Sequence, residues 1–164
     1  MNLMKKIAVR KGTIIQEKGD LNAKLYHIES GLLRSYYIDG KGKEHIFMFA
    51  PEGWILGDAT DVGSPSELYI DALEDSVVEV RVRDMSEIEP NSKLLLRRMS
   101  VLQKRIIMLM SSTAIERYEH FEKTYPNIIQ RVPQRMIASY LGITPEALSK
   151  VKGDKVREKL NTKN

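Results

Sequence analysis

From Ile7 to Val82 short apolar runs alternate with polar breaks. IAVR, GTIIQE, KLYHIES, LLRSYYID, EHIFMF, LYIDAL and SVVEVRV are bounded by Gly, Asp, Pro or Ser, and several alternate apolar with polar residues. That pattern predicts about seven or eight short strands in an all-β roll or barrel. Gly19-Asp20, Gly31, Asp39-Gly40 and Gly53 fall between the runs, where the chain must turn. After Pro90 the texture changes, and residues 91–125 contain neither Gly nor Pro. They predict one long helix. Leu95, Met99, Leu102, Ile106, Leu109 and Thr113 recur at alternating spacings of four and three, the seam of a coiled coil. A second stripe, Ile107, Met110, Ala114, Tyr118 and Phe121, lies on another face, so the helix is expected to pack on its own domain and on a partner helix together. Burial of both faces within a monomer is the alternative.

Residues 126–164 predict short helices. In QRMIASYLGITPEALSKV, Ile137, Leu141, Ile143, Leu148 and Val151 let two helices share a core across a tight turn. Ala138 is small where the helices cross, and Gly142 can close the first of them in the left-handed conformation. Thr144 suits an N-cap and Pro145 the first helical position. Glu146, Ser149 and Lys150 then share one face at i, i+3 and i+4, free to enter a major groove. This is a helix-turn-helix pattern; an ordinary helical hairpin is the plainer alternative. The class is α+β, divided into a β-roll at 1–90, a long dimerisation helix and linker at 91–125 and a helix-turn-helix domain at 126–164.

Charge sharpens this division. Residues 1–92 hold 11 Lys+Arg against 16 Asp+Glu, a balance of −5, whereas residues 93–164 hold 15 against 6, a balance of +9. A basic end on an otherwise acidic chain fits a polyanionic partner, and the phosphate backbone of duplex DNA is a common one; a solvated basic surface would carry the same sign. The chain has no Cys, so thiol nucleophiles and Cys-ligated zinc or iron–sulfur centres are excluded. His27, His45 and His120 are scattered without close ligand spacing, so no metal is expected, and no nucleophile–base pair is legible for an enzyme. A metal-dependent β-barrel enzyme would need clustered His and Glu. No apolar run approaches the roughly 18 residues of a membrane span and MNLMKK lacks the apolar core of a signal peptide, so a cytoplasmic protein is expected.

Over residues 8 to 152 the chain resembles the Crp/Fnr (catabolite-activator/Fnr) family of bacterial transcription regulators. EKGDLNAKLYHIESGLLRSYYIDGKGKEHIFMFAPEGWILGD resembles the family's cyclic-nucleotide-binding β-roll, the long helix its dimerisation helix, and RVPQRMIASYLGITPEALSKV its helix-turn-helix. The wording of PSELYIDALEDS and of the latter segment is most like the subgroup of Bacteroides-type bacteria. The resemblance implies a homodimer on a near-palindromic operator, an effector in the roll and a contact with RNA polymerase. Glu146 and Lys150 match two base-reading positions, and Pro145 stands where many relatives place an Arg. Gln134, Arg135, Thr144, Ser149 and Lys152 are expected on phosphates. In the effector pocket, Gly57-Asp58 matches the family's ribose-binding Gly-Glu pair, and Ser66-Glu67 falls where an Arg-Ser pair holds the cyclic phosphate. Ser111 and Ser112 match a hydroxyl pair that meets adenine. Without that arginine an anion loses its bidentate partner, so no cofactor is expected and a cyclic nucleotide is disfavoured. The helices that precede the roll in the family are expected to be absent, and Gly153-Asp154 is expected to end the recognition helix, leaving no room for a strand wing and fewer phosphate contacts. Pro145 and the missing wing leave one rival open, a ligand-binding or protein-interaction module without DNA binding.

Overall fold

The computed structural model describes residues 5–21, 24–58, 60, 63–82 and 92–161, apart from the side chains of residues 92, 94, 95, 98, 158 and 159. The chain divides into two compact units at residues 91 and 92, so the long-helix segment and the helix-turn-helix segment fall in one unit.

The described part of the first unit holds eight strands: β1 (Lys5–Val9), β2 (Ile14–Gln16), β3 (Lys24–Ser30), β4 (Leu33–Ile38), β5 (Glu44–Ala50), β6 (Ile55–Gly57), β7 (Tyr69–Ala72) and β8 (Ser76–Val82). They form two four-stranded sheets, β1-β8-β3-β6 and β2-β7-β4-β5, in which every pairing is antiparallel. Alternation puts one row of each strand between the sheets. Val9, Tyr26, Ile28, Leu56 and Val78 from one sheet pack with Leu33, Ala50, Ile70 and Ala72 from the other, and Trp54 packs on this cluster. Each such aliphatic side chain contributes about 1.5–3 kcal/mol when fully buried. Tyr26 ties the sheets by donating from its hydroxyl to the Ile15 carbonyl at 3.1 Å. Burial, with Asp20 nearby, raises this phenol to about 12, so it remains protonated and a donor.

The second unit is helical: α1 (Ser92–Ser111), α2 (Ala114–Thr124), α3 (Gln134–Leu141) and α4 (Pro145–Asn161). The expected single long helix is therefore two. Thr113 is the N-cap of α2, with Glu116 completing a capping box. The Glu116 carboxylate takes the Thr113 N–H at 2.7 Å and its hydroxyl proton at 2.8 Å, and this holds its pKa below the ordinary value. Thr113 consequently leaves the seam assigned to it. The second apolar stripe also divides: Ile107 and Met110 on α1 are exposed, while Tyr118 and Phe121 on α2 are buried. Phe121, Tyr125 and Tyr140 form a three-ring cluster with centroids 5.3 to 5.5 Å apart.

Gly142 ends α3 in the left-handed region, at φ 65° and ψ 33°. Its N–H and that of Ile143 return to the last turn of α3. Thr144 then opens α4 by accepting the Ala147 N–H at 3.1 Å. The expectation that Gly153-Asp154 would end this helix is corrected, since α4 continues to Asn161. A mid-helix glycine costs only about 1 kcal/mol. Beyond it, Lys155 binds Glu122 at 2.5 Å and Glu119 at 3.6 Å, and lies 5.4 Å from the Tyr118 ring centre, which fastens the far half of α4 to α2.

Candidate DNA-reading and effector sites

In the helix-turn-helix segment Leu148 and Val151 of α4 are buried, as are Ile137, Ala138 and Leu141 of α3. Their burial turns the opposite face of α4 outward, and Pro145, Glu146, Ser149 and Lys150 are all exposed. Lys152 is half-buried, whereas Gln134 and Arg135 are exposed on the first turn of α3. Glu146 accepts a hydrogen bond from its own backbone N–H and a second from the Thr144 hydroxyl, and both lower its pKa. It is thus ionised and purely an acceptor, beside the positive end of α4.

On α1, Met99 is 65% exposed, Leu102 37% and Ile106 57%, in company with Leu96, Val101, Ile107 and Met110. Leu109 is half-buried. The Leu95 side chain lies outside the described residues. A helix of 20 residues with this much bare apolar surface is unusual on a lone soluble chain and marks an interaction face.

Of the proposed effector residues, Ser66 and Glu67 line one cleft of the β-roll. An open cleft of about 460 Å³ is lined by Lys18, Gly19, Thr60, Ser64, Pro65, Ser66 and Glu67. Gly57 and Asp58 are not among them. A Cβ on Gly57 would stand 2.8 Å from Leu25 Cδ2 and 3.0 Å from the Lys24 carbonyl, so this glycine serves the close approach of β6 to β3. Asp58 is 5% exposed and its Oδ2 accepts the N–H groups of Glu67 at 2.7 Å and Leu68 at 2.9 Å. The Ser66 N–H donates to the Asp20 carbonyl at 2.8 Å. Three successive amides that could cradle an anion are therefore spent on the chain itself, and no arginine lines the cleft among the described residues. These residues do not fit a cyclic phosphate. Ser66, which lines the cleft, has a buried Oγ with no hydrogen-bond partner among the described residues. Ser111 and Ser112 belong to the other unit, where Ser111 donates to the Ile107 carbonyl at 2.7 Å.

Residues 6–84 match the cyclic nucleotide-binding domain model. The fumarate nitrate reduction regulatory protein of Klebsiella oxytoca is 30% identical over 174 residues, covering 91% of this chain and 68% of that protein. The chain belongs to the Crp/Fnr family of transcription regulators. The nitrogen fixation regulation protein FixK of Rhizobium meliloti is 27% identical over 152 residues, spanning 87% of this chain and 71% of that one. In fold, a Crp/Fnr regulator from Thermus thermophilus superposes with a TM-score of 0.76 at 17% identity, over 94% of this chain and 87% of its own. As a Crp/Fnr protein the chain is a DNA-binding regulator of transcription and not an enzyme.

Sequence patterning missed several structural side chains. Arg34 on β4 is 6% exposed; it binds Asp71 in a bidentate pair at 2.8 Å and Glu44 at 2.6 Å, and lies 4.1 Å from the Tyr36 ring centre. Burial opposes its charge, yet the two carboxylates outweigh burial and raise its pKa. The histidines have local partners: His27 Nδ1 meets Glu79 at 3.2 Å and His45 Nε2 meets Asp39 at 2.8 Å.

Proposed function

We propose that two copies of this Crp/Fnr regulator pair along the bare apolar face of α1 and present two α4 helices to a near-palindromic duplex. A two-fold dimer reading successive major grooves would hold them about 34 Å apart. Met99, Leu102, Ile106 and Leu109 supply the seam. Lys150 donates to guanine O6/N7 and Glu146 accepts from a cytosine amine. Gln134, Arg135, Thr144, Ser149 and Lys152 meet phosphates, which set the register. Pro145 has no side-chain donor to offer a base, so the operator differs from those read by relatives with Arg there. The observation that carries this proposal is the exposure of Glu146, Ser149 and Lys150 on one face over the buried Leu148 and Val151.

The β-roll, in this account, is not a cyclic-nucleotide sensor. Asp58 takes the amides such an anion would need, and Glu67 adds a like charge at the cleft. Any effector is a different small molecule, and the promoter-bound dimer would contact RNA polymerase. Among the described residues no helix is long and apolar enough to cross a membrane, and we assign the protein to the cytoplasm. A gel shift against random duplexes over a salt series tests DNA reading: binding that weakens steeply with salt is expected, and no binding at low salt would contradict it. Calorimetry with cyclic AMP and cyclic GMP tests the sensor; micromolar binding would overturn that part.

A further inference from the structure

The C-terminal end of α3 has a complete set of hydrogen-bond partners, and two of them are arginines from other helices. The last four carbonyls of a helix have no partner within it. Here Ala138 and Ser139 accept N–H groups of the following turn. The Tyr140 carbonyl takes Arg105 Nη2 at 3.4 Å, and the Leu141 carbonyl takes Arg117 Nη1 at 3.1 Å. Arg105 also stacks on the Tyr140 ring, 4.1 Å from its centre. Arg117 reaches further. Its Nη2 donates to the Leu109 carbonyl at 2.7 Å and its Nε to the Ser112 carbonyl at 3.0 Å, both at the C-terminal end of α1.

One guanidinium therefore joins the negative ends of two helices at the point where α1 breaks before α2. The packing there is close: a Cβ on Gly142 would stand 3.6 Å from both Arg117 Nη1 and Leu109 Cδ2. We propose that Arg117 is the positioning residue that fixes the helix-turn-helix to the α1 rod, so that the direction of α4 follows the end of α1. The planar fork serves three carbonyls in different directions, which a lysine ammonium on a flexible stem does not reproduce. This inference rests on the pairing of α1 proposed above.

The chain has no Cys, so a cysteine at Gly153, an exposed position on α4 with open space around it, carries a single nitroxide per protomer. Double electron–electron resonance on the dimer of this chain then reports the distance between the two α4 helices. With Arg117 present a narrow distribution is expected. Arg117→Met should keep dimerisation by sedimentation and helicity by circular dichroism, yet widen the distribution roughly twofold or more, with Arg117→Lys in between. An unchanged width in a folded Arg117→Met dimer would overturn the inference. Should Arg117→Met fail to fold, Arg117→Lys decides: a wider distribution supports the assignment and an unchanged one refutes it. Absence of a dipolar signal in the chain with Arg117 intact would defeat the pairing itself, and this inference with it.

Discussion

Asp58 accepts the backbone N–H of Glu67 at 2.7 Å, and the same oxygen takes the neighbouring Leu68 N–H at 2.9 Å. The carboxylate that sequence likeness assigns to a ribose is turned into the protein, where it holds the segment that lines the cleft. Position in a motif and direction of a side chain are separate facts. An acid one methylene shorter than Glu reaches its own loop instead of the cleft.

Removing this carboxylate should loosen the β-roll. Asp58→Ala leaves two partly buried donors without an acceptor, and at about 1–3 kcal/mol for each unsatisfied group the loss should be roughly 2–6 kcal/mol. Asp58→Asn keeps one acceptor oxygen and should lose less. Urea denaturation of the full chain measures both, and stability within about 0.5 kcal/mol of the parent for the alanine variant would contradict the assigned role.

Ile106 is 57% exposed, so its replacement should spare the fold of one chain and weaken the pair. In a two-fold interface each substitution is felt twice. With about 1.5–3 kcal/mol for each buried Ile, Ile106→Glu should raise the dimer dissociation constant roughly a hundredfold or more. Sedimentation equilibrium gives the value, and an undisturbed dimer would place the interface elsewhere.

Lys150→Ala should cost ~1–3 kcal/mol at one base pair of each half-site and relax preference there. Competition binding against duplexes altered one position at a time reads this. Equal weakening on every sequence would make Lys150 a phosphate contact instead.

The β4–β5 turn carries an acid-sensitive element. Asp39 accepts a bond from His45, and the N–H groups of Lys43 and Lys41 at 3.0 and 2.9 Å; together these lower its pKa from 3.8 to about 2. A carboxylate depressed in the folded state adds stability above its unfolded pKa and loses that contribution as pH falls through the folded value. The difference in urea midpoint between the parent chain and Asp39→Asn should therefore be flat above about pH 4 and shrink towards pH 2. A difference that does not change over that range would refute the turn's role.

The strands were legible because each buries one side: KLYHIES and SVVEVRV become β3 and β8 at their written bounds. β6, three residues long, is too short to show a period. The break between α1 and α2 had a signal in Thr113 and Glu116, the two ends of a capping box, which the apolar spacing across it concealed. Gly153 misled for the opposite reason: a local stop signal was outweighed by Lys155 binding Glu122 across the unit. Arg34, Arg105 and Arg117 could not be recognised from spacing, because their partners at Asp71, Tyr140 and Leu141 lie 24 to 37 positions away. The outward face of α4 was readable, since Leu148 and Val151 define its inner side.

Selection of bound duplexes from a random pool by this chain asks whether it reads DNA as a two-fold pair. Inverted repeats whose half-sites lie about one helical turn apart, some 34 Å from centre to centre, should be enriched. Enrichment of single, unpaired sites, or of no sequence at all, would contradict that reading.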